Sequence, residues 1–211
     1  MESTSKLRIL CLHGYQQNAT IFREKSGSFR RPMKKYADFV FMNAPHEVES
    51  EPVSEIVDDS VSAADCRGWW YVSKRFYTRQ VKDHEGFEES VQAVIDFARK
   101  EGPFDGILGF SQGATLAFLL SALKKMKPNL PCLHVFGETD KIVSHELSRK
   151  LVDLFDKNMV VVVEHPGGHM YTERNNHTML ILISNLRCSD ISECVEGINI
   201  NAKNVDVWVI I

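Results

Sequence analysis

The stretch 106–120, GILGFSQGATLAFLL, constrains the fold more than any other part of this 211-residue chain. An apolar run stops at a Gly-x-Ser-x-Gly pentapeptide, and a Leu-rich run follows at once. The pattern predicts a strand that turns directly into a helix, with Ser111 at the apex in strained backbone geometry. Gly109 and Gly113 are favoured there because larger side chains would collide. This turn, residues 109–113, is called the elbow below; it lifts the serine hydroxyl above a sheet, beside the backbone N–H of Gln112.

Short apolar runs elsewhere have the features of buried parallel strands. Each is rich in β-branched or aromatic residues and is bounded by Gly, Pro or Asn. Alternation of such runs with helical patterns predicts an α/β fold, a mainly parallel sheet with helices on both faces. Ligand sites in these sheets lie at the carboxyl ends of the strands. The predicted strands are 7–13, 38–44, 104–110, 132–138 and 159–165, and the predicted helices are 86–100, 112–126 and 144–157.

Composition and charge narrow the function classes. Hydrophobic residues make up 44% and charged residues 25%, as in ordinary globular proteins. A net charge of −3 gives no electrostatic basis for binding nucleic acid or an anionic membrane. No apolar run reaches the roughly 18 residues of a spanning helix, and MESTSKLR lacks the apolar core of a secretory signal. Five cysteines without a CxxC pair favour reduced thiols. These features predict a protein of the cytoplasm, or also of the nucleus.

Residues 45–85 interrupt the alternation. They are acidic first, then aromatic and basic, and they show no clear period. A long irregular segment inside a compact domain is often a binding loop or lid. The alternative is a solvated excursion whose Trp69 and Trp70 are tucked into the core, and the sequence leaves both open.

A serine hydroxyl is a weak nucleophile without a base, so the elbow requires a histidine and a carboxylate that holds the histidine tautomer. In this type of fold the order along the chain is serine, acid, histidine. Asp140 follows the strand 132–138, and His169 follows the strand 159–165. Both are therefore expected at the sheet edge where Ser111 lies.

Each of these partners has a competitor. Asp140 could merely cap the following helix, and Glu138 lies close by. His165 could replace His169, although it is nearer the strand body and two glycines give His169 the freer loop. Four other histidines are set aside: His134 as a satisfied core residue inside a strand, and His84, His145 and His177 because they do not follow strand ends.

An oxyanion hole needs a second donor besides Gln112. The first strand ends in CLHGYQQN, where a turn at His13-Gly14 would carry the backbone N–H of Tyr15 over the nucleophile. The alternative is that the His-Gly pair merely ends a strand.

Six motifs taken together resemble the FSH family of α/β-hydrolase serine hydrolases, in particular its animal, ovarian-cancer-associated esterase-like members. The motifs are LHGYQQN, NAPHEV, RGWW, GFSQGA, HVFGETDKIV and HPGGH, within residues 7–170. The resemblance implies an α/β-hydrolase fold and a carboxylic-ester hydrolase that works through an acyl-enzyme, without a metal or other cofactor. It further implies that Ser111 is the nucleophile, His169 the base, Asp140 its orienter, Tyr15 and Gln112 the oxyanion donors, and 45–77 a wall of the acyl pocket.

Two features depart from the family pattern. Between Ser111 and Asp140 the chain has one helix, the link KKMKPNLP and one strand, so one strand of the family fold is predicted to be missing. Closing the sheet over it would move Asp140 by ~4.8 Å, whereas catalytic groups tolerate ~0.5 Å. Leaving a slot would expose unpaired backbone groups. Other α/β-hydrolases place their acid after the strand next to the nucleophile strand, and His169 could swing on its two glycines.

The second departure is the tail, residues 171–211, where the family pattern would place an amphipathic helix. Its apolar blocks, TMLILI and VWVII, have no helical period, and an exposed apolar end is an aggregation liability. We therefore predict a hydrolase domain over 1–170 and an atypical tail over 171–211, as in an altered isoform or gene-model product that lacks an internal segment.

Three functions follow from these features. The first is an esterase acting on small-molecule esters with lipophilic acyl chains. The second is a non-catalytic isoform or binding module with a misaligned triad, and the third is a thioesterase or peptidase. Triad chemistry alone does not choose the acyl or leaving group. The residues that suggest an apolar lining are Trp69, Trp70, Tyr71 and Phe76.

Overall fold

The apolar runs of the sequence form the strands of one sheet in the computed structural model of the chain. The structure describes residues 6–49, 65–72, 85–123, 131–170 and 206–210. In chain order the elements are β1 (Leu7–Leu12), α1 (Ala19–Lys25), α2 (Gly27–Met33), β2 (Ala37–Met42), β3 (His46–Glu47), β4 (Arg67–Gly68), α3 (Phe87–Glu101), β5 (Gly106–Phe110), α4 (Gln112–Leu123), β6 (Cys132–Gly137), α5 (His145–Val152), β7 (Val160–His165) and β8 (Asp206–Ile210).

The main sheet has the strand order β2-β1-β5-β8-β6-β7, and every neighbouring pair is parallel. Strands β3 and β4 form a separate two-residue antiparallel ribbon. All five predicted strands and all three predicted helices are present, with bounds that differ by a few residues. The prediction of an α/β fold with a mainly parallel sheet is confirmed.

Two apolar clusters cover the opposite faces of this sheet. Alternate residues of β1 join different clusters, Leu10 one and Ile9 the other, because successive side chains of a strand point to opposite faces. Helices α3, α4 and α5 pack on the Leu10 side, and α1 and α2 on the Ile9 side. Helix α4 contributes Ala114, Leu116 and Ala117, all fully buried, as expected of a helix that is apolar on every face.

Helices α1 and α2 were not predicted. Each has seven residues, and α2 contains Pro32, so neither shows a helical period long enough to recognise. A local signal was nevertheless present: the Asn18 side chain caps α1 by accepting a hydrogen bond from the Ile21 N–H at 2.8 Å. Tertiary packing then stabilises both helices, because Phe22 and Phe29 are buried against the sheet.

Strand β8 occupies the place of the strand predicted to be missing. Its residues 206–210 pair with residues 106–110 of β5 on one edge and, through 207–210, with residues 132–135 of β6 on the other. Neither predicted outcome, a closed sheet or an empty slot, is therefore found. The backbone of this apolar run is paired on both sides, because the slot offers hydrogen-bond partners on two edges at once. Residues 171–205 lie outside the described part of the chain.

Within the described ranges, no helix combines the length and apolar character required to cross a membrane. Cys11, Cys66 and Cys132 are buried. Cys188 and Cys194 lie outside the described residues.

Candidate active site

The predicted elbow is present between β5 and α4. Ser111 has a φ of 51°, in the left-handed region that side-chain-bearing residues rarely adopt. A Cβ added at Gly109 would lie 2.5 Å from the Ala114 Cα, and one at Gly113 would lie 2.3 Å from the Leu12 carbonyl oxygen. Both glycines are thus required by close backbone contacts, and the turn presents Ser111 at the carboxyl end of the sheet.

Asp140 and His169 form a hydrogen-bonded pair. His169 Nδ1 lies 2.7 Å from Asp140 Oδ2, and the Asp140 side chain is fully buried. The other carboxylate oxygen accepts from the backbone N–H groups of Ile142 at 2.8 Å and Val143 at 3.0 Å. Asp140 therefore binds both the following turn and the histidine, whereas helix α5, which one alternative had Asp140 cap, is capped by Ser144. An ionised carboxylate only accepts, so Nδ1 carries the proton and Nε2 keeps a lone pair for use as a base.

The His169 loop is seated on the end of β6 and reaches the elbow. The Thr139 N–H donates to the Gly167 carbonyl at 3.2 Å. A Cβ at Gly137 would lie 2.2 Å from the carbonyl oxygens of Gly167 and Gly168. The predicted swing of His169 on its two glycines is opposed by these contacts. Its ring centroid lies 5.1 Å from that of Phe110, the residue that precedes Ser111.

The competing residues are held in other roles. Glu138 is exposed, and its backbone N–H donates to the His165 carbonyl at 2.8 Å. His165 is buried, and its Nδ1 accepts from the Gly167 N–H at 3.2 Å. Burial lowers the pKa of His165, although the nearby Asp140 and Glu138 oppose this shift. The geometry therefore favours Asp140 and His169 over Glu138 and His165.

The turn after β1 lies directly against the elbow. A Cβ at Gly14 would lie 2.8 Å from the Phe110 ring and 3.3 Å from the Ser111 Cβ. The Gln17 N–H closes the turn on the Gly14 carbonyl at 3.2 Å. Gly14, the residue before Tyr15, thus lies beside Ser111, while a Cβ at Gly68 would lie 2.9 Å from the Tyr15 ring. Gln112 opens α4, so its N–H has no acceptor within the helix.

His13 anchors this turn as a neutral, fully buried residue. Its Nε2 accepts from the Ala44 N–H at 3.0 Å, so Nδ1 carries the proton and donates to the Gly14 carbonyl at 2.7 Å. Burial lowers the pKa of His13 to about 4, while the hydrogen bond to Gly14 acts in the opposite direction. The His-Gly pair therefore does more than end a strand.

Trp69 and Trp70 are core residues, as the second alternative for this segment proposed. They are 0% and 9% exposed, so Trp69 does not line a pocket. Tyr71, by contrast, is 42% exposed. Phe76, His84, His177 and most of the predicted acyl-pocket wall lie outside the described residues.

Sequence analysis missed the side chain of Gln112, which binds the Trp69-Trp70 segment. Its Oε1 accepts from the Trp69 N–H at 2.8 Å and its Nε2 donates to the Trp70 carbonyl at 3.0 Å. The available signal was a polar residue at the start of an otherwise apolar, buried helix, where an amide needs partners.

His134 lies in the core as predicted but is not satisfied. Its Nε2 is 3.2 Å from the Cys132 Sγ, and its Nδ1 has no hydrogen-bond partner in the described part of the chain. The ring packs on Phe155 with centroids 4.8 Å apart. Burial lowers the pKa of His134 to about 4.

Acid should destabilise the protein partly through His134. As pH falls from 6.5 towards 4, the unfolded chain binds protons that the buried ring refuses, so the free energy of unfolding decreases. A single histidine with this pKa shift costs about 2 kcal/mol at pH 5. We expect His134→Leu to reduce the loss of stability between pH 7.5 and pH 5 by that amount, measured by urea denaturation. If His134→Leu loses as much stability as the wild-type protein between these two pH values, His134 is not a source of the acid destabilisation.

Comparisons with known proteins agree with this fold. The family model described as serine hydrolase (FSH1) matches residues 1–129 and 122–179. Esterase OVCA2 of Danio rerio is 37% identical over 218 residues, covering 83% of this chain and 94% of the relative. An esterase of Caenorhabditis elegans is 38% identical, covering 84% and 91%. The crystal structure of a carboxylesterase from Mesorhizobium loti shares the fold, with a TM-score of 0.60 at 17% identity over 86% of this chain and 90% of that one.

The matches also locate the shortening. The two segments of the family match meet at residues 122–129, between α4 and β6, where the missing strand was predicted. The Danio rerio alignment, 218 residues, is longer than the chain itself, so that relative has residues with no counterpart here. With an α/β-hydrolase fold, an elbow at Ser111 and a family match over most of its length, the chain belongs to the FSH1 family of serine hydrolases.

Proposed function

We propose that this protein hydrolyses carboxylic esters through an acyl-enzyme on Ser111, with His169 as the base and Asp140 as its orienter. The observation that carries the proposal is the 2.7 Å Asp140–His169 hydrogen bond at the carboxyl end of the sheet, with the imidazole against the neighbour of Ser111. The family assignment supports ester hydrolysis independently of this geometry.

The proposed reaction begins at the elbow. Ser111 Oγ attacks the ester carbonyl carbon as His169 Nε2 takes its proton, and the carbonyl oxygen becomes an oxyanion. The backbone N–H groups of Tyr15 and Gln112 donate to this oxyanion. Asp140 stabilises the imidazolium, which returns the proton to the departing alcohol.

The second half of the reaction releases the acid. A water molecule attacks the acyl-enzyme while His169 Nε2 again takes a proton, and Ser111 leaves as the hydroxyl when the imidazolium protonates it. The hydrogen bonds from the Ile142 and Val143 N–H groups hold the Asp140 carboxylate in place during both acylation and deacylation.

The acyl group in this proposal is apolar. Tyr71 is 42% exposed and Ile142, two residues beyond Asp140, is 62% exposed. Burying such side chains against an acyl chain would contribute about 0.8 kcal/mol per methylene. We further propose that the protein acts in the cytoplasm or nucleus, which the free thiols of Cys11 and Cys66 support.

An activity-based probe tests the proposal. We expect a fluorophosphonate to label the folded protein on Ser111, located by peptide mass spectrometry, and Ser111→Ala to abolish both labelling and turnover of p-nitrophenyl butyrate. Ser28→Ala, on α2, is the matched control and should retain both. A folded wild-type protein that binds esters but is neither labelled nor active would instead be the binding module. Comparing p-nitrophenyl esters with thioesters of the same acyl chain then identifies the leaving-group class.

A further inference from the structure

Trp69 lies at the centre of a buried hydrogen-bond chain that the proposed reaction does not use directly. Its backbone N–H donates to Gln112 Oε1 at 2.8 Å, and its indole Nε1–H donates to the His13 carbonyl at 2.8 Å. Its own carbonyl accepts a hydrogen bond from Ser90 Oγ. All three polar groups of this fully buried residue therefore have partners.

Two of these three partners, His13 and Gln112, belong to the two segments that carry the proposed oxyanion donors. His13 begins the turn that leads to Tyr15, and its ring holds the Gly14 carbonyl at 2.7 Å. Gln112 supplies the other donor through its backbone, while its side chain binds Trp69. The indole ring also packs against the His13 ring, with centroids 5.3 Å apart. Trp69 thus connects the end of β1 to the start of α4.

We infer that Trp69 is a positioning residue for the oxyanion hole, setting the separation between the backbone N–H groups of Tyr15 and Gln112. The inference rests on the proposed function, because it assigns a role within that reaction. Oxyanion donors act at 2.7–3.1 Å from the charged oxygen, and displacements beyond about 0.5 Å impair catalysis. A connection through one buried, fully bonded residue satisfies this requirement, since neither segment can shift without breaking a hydrogen bond to Trp69.

The kinetic test uses Trp69→Phe, which removes the indole N–H but keeps an aromatic ring and the backbone bond to Gln112. We expect kcat for p-nitrophenyl butyrate to fall about 10-fold or more with KM within about two-fold, because the lost positioning acts in the transition state. Trp70→Phe is the matched control. Trp70 belongs to the same apolar cluster and packs on Phe87 with centroids 5.9 Å apart. Among the described residues its hydrogen bond to this network is made by its backbone carbonyl, which the substitution keeps.

A second variant and a second measurement keep the inference testable. Gln112→Met removes both side-chain hydrogen bonds to the Trp69-Trp70 segment but retains its own backbone N–H. It should show the same selective loss of kcat, and it replaces Trp69→Phe in the test if that variant does not fold. In isotope-labelled protein, the amide chemical shifts of Tyr15 and Gln112 should move in Trp69→Phe but not in Trp70→Phe.

The outcomes separate the inference from the proposed function. Equal kcat losses in the two tryptophan variants, or unmoved amide shifts at both donors, would overturn the positioning role. If the wild-type protein hydrolyses no ester, the proposed function fails, and the amide shifts alone decide whether Trp69 sets the separation of these two groups.

Discussion

Asp140→Asn is expected to lower kcat for ester hydrolysis by about 10⁴-fold in a protein that stays folded. The asparagine oxygen would keep the hydrogen bonds from the Ile142 and Val143 N–H groups. Its amide would then face His169 Nδ1 as a donor, in place of the carboxylate oxygen at 2.7 Å. The imidazole would carry its proton on Nε2 instead, so it could not accept the proton of Ser111.

Glu138→Gln is the matched control, since it makes the same carboxylate-to-amide change on an exposed side chain two residues earlier. It should leave kcat within about two-fold, as is usual for surface substitutions that break no network. Steady-state kinetics with p-nitrophenyl butyrate measure kcat for both variants, and circular dichroism checks that both are folded. A greater loss of activity in Glu138→Gln than in Asp140→Asn would reassign the acid.

Deleting residues 206–211 is expected to lower turnover by at least about 10²-fold and to destabilise the sheet. Strand β8 lies between β5, which leads to Ser111, and β6, which leads to Asp140. Without it, either both neighbours keep unpaired backbone groups or the sheet closes by ~4.8 Å. A misplacement of only 1 Å can cost about 10²-fold in rate, so closure would misalign Asp140 with Ser111. Unpaired backbone groups on both neighbours would instead destabilise the sheet that holds the site.

The deletion can be tested by complementation. A synthetic peptide with the sequence of residues 204–211 should restore probe labelling to the truncated protein by occupying the vacant position. In the full chain, Val209→Pro should mimic the deletion because proline donates no ladder hydrogen bond, whereas Val209→Thr should not. Amide hydrogen exchange adds a readout that does not depend on activity. Rapid exchange throughout 206–210 together with full activity would show that the strand does not separate β5 from β6.

Features that depend on local spacing could be predicted from the sequence. The elbow needs two glycines around one serine, and the observed contacts at Gly109 and Gly113 explain this spacing. Asp140 and His169 could be named because each follows an apolar strand, and parallel strands bring their carboxyl ends to one edge. Helix α3 was recognised because its apolar residues recur at helical spacing, and Val94 and Ala98 are buried accordingly.

Features that depend on distant partners could not be predicted. The hydrogen bonds of Trp69 join residues 43 and 56 positions apart, so the same tryptophan was equally compatible with a pocket wall and with the core. The prediction that His134 is satisfied failed for the same reason. The sequence indicates that the ring is buried, but not which groups face its Nδ1.

The sequence by itself determined the α/β class and the elbow, and it pointed to Asp140 and His169, whose side chains lie 2.7 Å apart. Only the tertiary structure decided which segment fills the sheet between the two strands that lead to them. The physical reason is that a short apolar run can pair with any open strand edge, and its own residues do not specify which one. The position between β5 and β6 offers two such edges together, and β8 pairs with both.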